Sequence, residues 1–162
     1  FSLGVFPARA LESDKIDGFW ANAMGAETAV SRGVGKILID VRRGDDPDEV
    51  RYFTFAGMAT TDAFIEREPG AVAAAVRAIM KAQKALRADP SLARQVGARK
   101  FPPEAAELIA SVVARDTEFY DPVISEAAVE KMNRFAQTVG HLSRAVPYEE
   151  VVALRYRELW HA

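Results

Sequence analysis

Trp20, Asn22 and Glu27 are the residues of this chain best suited by type and spacing to recognise a small molecule, because they straddle a change of pattern. Ile16-Asp17-Gly18-Phe19-Trp20-Ala21 is a compact apolar run suited to a buried strand, and Gly25 to Ser31 is alanine-rich and helix-compatible. A strand that feeds a helix N-terminus is where open α/β sheets hold their ligands. The N–H groups near Met24, Gly25 and Ala26 would lack partners inside the helix, which suits them to a carboxylate, sulfonate or nitrate oxygen. Trp20 offers a face for a planar solute, and Asn22 offers both a donor and an acceptor. Plainer roles compete at each position: Trp20 as a core side chain, Asn22 as a helix cap. Glu27 in the first turn would satisfy the helix dipole by itself; turned toward a ligand, it would favour an amine or aminopyrimidine over an anion.

Other groups are weaker candidates. Thr60 and Thr61 end an extended stretch just ahead of a helical one, so their hydroxyls would reach a cleft there, although capping is the simpler role for Thr61. Arg42-Arg43 beside Asp45, Asp46 and Asp48 reads as a charged, solvated turn, since a calcium loop needs regularly spaced oxygens and usually a later Glu. Arg32-Gly33-Val34-Gly35-Lys36 has the glycines of a phosphate loop in the wrong context: a helix precedes and a strand follows. It reads as a helix stop. His141 and His161 have no partner at metal-ligand or triad spacing. The pairs Glu66 with Glu68 and Glu149 with Glu150 fall on polar helix surfaces. The pattern calls for no metal, cofactor or catalytic residue.

The elements that must position these groups change character along the chain. The 162 residues are 49% hydrophobic and 27% charged, enough to bury a core. A net charge of −2 sets up no basic field for nucleic acid. There is no cysteine, which fits cytoplasm and periplasm equally, and no run approaches the roughly 18 apolar residues of a membrane span. Pro7 opens a short helix through Leu11. Ile37-Leu38-Ile39-Asp40-Val41 is the clearest strand, expected to be central and buried on both faces; another runs from Tyr52 to about Met58. After Thr61 the pattern is helical. Gly70 to Leu86 aligns Val72, Val76, Ile79, Met80, Gln83 and Leu86 on one face, and Asp89-Pro90 breaks it. Pro102-Pro103 introduces a helix with Ala105, Leu108, Ile109 and Val112 inward. Ser125 caps the next, with Val129, Met132, Phe135, Ala136 and Val139 inward and Gly140 as its stop; Pro147 begins the last, carrying Val151, Leu154 and Leu159.

The segment Lys15-Ile16-Asp17-Gly18-Phe19-Trp20-Ala21-Asn22-Ala23-Met24-Gly25-Ala26-Glu27 resembles the solute-binding proteins of ABC importers, in the branch for nitrate, sulfonate and thiamine precursors. Phe64-Ile65-Glu66-Arg67-Glu68-Pro69 followed by Ala78-Ile79-Met80-Lys81-Ala82-Gln83 is similar to a later part of that family, as are Phe119-Tyr120-Asp121-Pro122-Val123-Ile124-Ser125 and Val139-Gly140-His141-Leu142. The resemblance covers almost the whole chain, and its weight lies in the order and spacing of the motifs. It implies part of a bilobal, three-layer α/β periplasmic-binding fold with a helical C-terminal half. Residues 1–34 would finish the second lobe and residues 35–162 would return to the first. The ligand-binding set would be Trp20, Asn22, Met24, Gly25, Glu27, Thr60 and Thr61.

The function so implied is capture of a small solute, in the periplasm or lipid-anchored outside the cell, for delivery to a membrane permease. An effector-binding domain of a transcriptional regulator, or a pyrimidine-precursor synthase-like enzyme, would share such a shape. With few strands and many helices, the sheet would need partners upstream of Phe1, and the 162 residues by themselves would self-associate through exposed edges.

Overall fold

The computed structural model describes residues 5–21, 23–51, 53 and 57–161. Among them every regular element is a helix and there is no strand. The α/β expectation is therefore corrected: the described residues build no three-layer sheet. The α-helices are α1 (Val5–Glu12), α2 (Ala23–Ser31), α3 (Asp62–Arg67), α4 (Pro69–Ala88), α5 (Leu92–Lys100), α6 (Pro103–Asp116), α7 (Glu126–Thr138) and α8 (Tyr148–Val151). Shorter 3-10 turns cover Val41–Arg43 and Thr117–Phe119, and a longer one covers Leu154–His161.

The local chemistry of the helix ends follows the sequence closely. Thr61 Oγ1 accepts from the Phe64 N–H at 3.2 Å and Ser125 Oγ from the Ala128 N–H at 3.1 Å, each satisfying one donor of a first turn. Gly33 follows α2 at φ 70°, a left-handed position where a side chain would be strained. Phe101 and Pro102 each precede a proline, which disfavours helical backbone; both are extended, and α6 starts at Pro103.

The expected strand at Ile37–Val41 fails for a local reason. Asp40 Oδ1 accepts from the Arg42 N–H at 3.2 Å, and Asp45 Oδ2 accepts from the Asp40 N–H at 3.0 Å. These side-chain bonds offer the backbone a turn in place of a ladder. Asp40 is buried, whereas Leu38 is 89% exposed, so the run is not the centre of a core. Residues 16–21 are likewise irregular: Ile16 and Phe19 are half-buried and Trp20 is exposed. Of the Tyr52–Met58 strand, residues 52 and 54–56 lie outside the described residues, and Phe53, Gly57 and Met58 belong to no strand.

The chain divides into two compact units. The first comprises Phe1–Ile39 and Gln83–Tyr120; the second comprises Asp40–Ala82 and Asp121–Ala162. In the first unit α1 packs on α2, α2 on α6 and α5 on α6. Among the described residues its buried apolar side chains are all alanine: Ala8, Ala29, Ala93, Ala106 and Ala110. Gly97 of α5 lies so close to α6 that a Cβ there would stand 3.3 Å from the Ala106 Cβ and 3.4 Å from its Cα. The second unit is built differently. Ile65, Val72, Val76 and Tyr156 form its core, with Phe64, Met80, Leu159 and Trp160 packed against it. Asn133 of α7 is buried and holds the strap ahead of α8 by two bonds: its Nδ2 donates to the Val146 carbonyl at 2.8 Å and its Oδ1 accepts from the Val146 N–H at 2.9 Å.

The expected inward faces need correction where packing, not periodicity, decides. On α6 the buried positions are Ala106, Ala110 and Asp116, while Ala105, Leu108, Ile109 and Val112 are half-buried. On α7 Val129 is buried, but Met132, Phe135 and Val139 are exposed and polar Asn133 takes an inner place. On α4 Val72 and Val76 are buried and Ile79 is exposed. Val151 of α8 is exposed, with its neighbour Val152 buried in its place.

Candidate functional site

Trp20 lies in the irregular segment that leads into α2, with its side chain 70% exposed. Of its two alternative roles, the core one is thus not the one it takes. Asn22 lies outside the described residues. In α2, Met24 is half-buried and Gly25 is buried. The Met24 carbonyl accepts from the Thr28 hydroxyl at 2.7 Å, a back-bond along the helix that keeps buried Thr28 satisfied.

Glu27 has a partner that the sequence did not announce. Its Oε1 accepts from Arg115 of α6, and the same guanidinium donates from Nε to Asp116 Oδ1 at 2.6 Å and from the second terminal nitrogen to Oδ2 at 3.1 Å. The bidentate grip of Asp116 first, then the bond to Glu27, pushes the Arg115 pKa well above its ordinary value against the opposing effect of burial. Asp116 is buried and Glu27 and Arg115 are half-buried, so the Glu27–Arg115 pair ties α2 to α6 with less screening than at an exposed site. Nearby, burial raises the Tyr120 phenol, and the charge of Asp116 pushes it the same way. Arg32, just past α2, reaches Glu12 at 3.1 Å and Glu104 at 3.7 Å, so a second ionic contact links the helices of this unit.

The geometry at α2 therefore combines an exposed indole with a helix start whose first turn holds no acidic residue. Glu27 stands beyond that turn and is engaged by Arg115. Thr60 and Thr61 belong to the second unit; both are exposed, and the Thr61 hydroxyl is occupied as the α3 cap.

The remaining charged candidates are structural. Arg42 donates to both oxygens of Asp40 at 2.7 Å, and this contact, reinforced by Arg43, holds the Asp40 carboxyl below its ordinary range despite burial. Glu66 pairs with Arg155 at 2.9 Å on the surface, and Glu149, Glu150, His141 and His161 are exposed. Among the described residues no three carboxylates or histidines converge as a metal ion would require, and no helix is long and apolar enough to cross a membrane.

Comparison with known proteins finds no family model, no curated protein and no solved structure that matches this chain.

Sequence reasoning missed Arg115 as the counterpart of Glu27, and the signal for it was slight. A basic residue in the last turn of a helix that ends in Asp116 reads as a dipole partner, and 88 residues separate it from Glu27.

Proposed function

We propose that this chain is the substrate-binding component of an ABC importer, capturing a small solute outside the cytoplasmic membrane and handing it to a membrane permease. The support is the order and spacing of the sequence motifs from Lys15 to Leu142, since the α/β architecture those motifs implied is not the one this chain adopts. The observation that carries the reading is the exposed Trp20 directly ahead of α2. An indole left in water gains by stacking on a planar or weakly hydrated solute.

The solute class follows from charge. A free carboxylate at the start of α2 would favour an amine, but Glu27 is bound to Arg115 and the first turn is not acidic. The partial positive charge of the helix start then favours an anionic or neutral planar solute, in the range of nitrate and small sulfonates, over a cationic one.

Trp20 provides its own probe. Trp160 is the second of two tryptophans, so a Trp160→Phe protein reports on Trp20 alone. Titration with nitrate, methanesulfonate and a primary alkylammonium ion should give saturable quenching with an anion and none with the cation. Trp20→Phe, followed by calorimetry, should weaken that binding by about tenfold. Unchanged affinity in Trp20→Phe, or no heat with any of the three, would overturn the reading.

A further inference from the structure

We draw no further inference here: the strongest candidate, the exposed apolar run Ile37-Leu38-Ile39 just ahead of the Asp40 turn, carries nothing because nothing in the structure shows what covers it.

Discussion

The two units solve the same problem, burying helix faces, with opposite materials. The first uses alanine and glycine at its contacts and adds ionic ties, Glu27 with Arg115 and Arg32 with Glu12 and Glu104. The second uses Ile65, Val72, Val76 and Tyr156, with side-chain amide and hydroxyl bonds to backbone. Small residues let helix backbones approach closely but leave little apolar area to remove from water. Large ones bury more area and keep the axes apart. The first unit should therefore be sensitive to added volume, and the second to removed volume.

The largest expected effect is in the second unit. Ile65→Ala deletes buried aliphatic volume from the core that Val72, Val76 and Tyr156 share, and should cost about 2–5 kcal/mol. Urea denaturation followed through Trp160 fluorescence measures it, in a Trp20→Phe background. A loss below 1 kcal/mol, on the order of a surface change, would show that this core is not the one that holds the unit.

Asn133→Ala comes next. It leaves the N–H and carbonyl of half-buried Val146 without their partners, and losing two such bonds, each contributing about 0.5–1.5 kcal/mol, sets the cost. Hydrogen exchange should show the Val146 amide losing protection while amides of α5 and α6 keep theirs. Equal loss in both places would mean that the two units unfold as one, and the comparison between them would have no energetic content.

Gly97→Val tests the opposite sensitivity in the first unit. The nearest atoms to a new Cβ are the Cβ and backbone of Ala106, which move only if α5 and α6 separate. Overpacking of this kind costs about 1–3 kcal/mol. Thermal melts should place Gly97→Val below the parent and below Gly97→Ala, and a Gly97→Val protein as stable as the parent would refute the close contact.

The smallest effect separates the units by pH. In the second, the carboxyl of Asp40 titrates below its ordinary 3.8 in the folded state. Its contribution is complete above the unfolded pKa and is lost as pH falls through the lower folded one. In the first, Tyr120 titrates above its ordinary 10.0. Its contribution is complete below that value and is lost as pH rises through the higher folded one. Acid should loosen the second unit and base the first, as read by exchange or by nuclear magnetic resonance of unit-specific amides. Asp40→Asn should flatten the acid limb in the second unit alone, and a limb of unchanged steepness would remove Asp40 from the account.

The parts legible in the sequence were those set by neighbours within a few residues. The caps at Thr61 and Ser125, the stop at Gly33, the break at Asp89-Pro90 and the start at Pro103 all fell where expected. The strands expected at 16–21 and 37–41 did not. An apolar β-branched run states only a preference for extended, buried backbone, and a strand exists only when another strand takes its hydrogen bonds. At the end of the 37–41 run the carboxylates of Asp45 and Asp40 take the N–H groups of Asp40 and Arg42 into a local turn, and the run stays outside the core. Of the candidate site, the exposed position of Trp20 was one of two open alternatives, and the commitment of Glu27 was hidden.

What the sequence by itself determined is where helices begin and end. A cap joins a side chain to an amide three residues on, and a proline constrains the residue before it, whatever the rest of the chain does. Which face of each helix is buried, and what Glu27 is paired with, only the tertiary structure decided. Asn133 displaces Met132 and Phe135 from the inner side of α7 because Val146 offers it two bonds there. Glu27 is paired because α6 brings Arg115 to it from 88 residues away. Burial and pairing of that kind depend on which atoms lie across the contact, and periodicity within one helix carries no record of them.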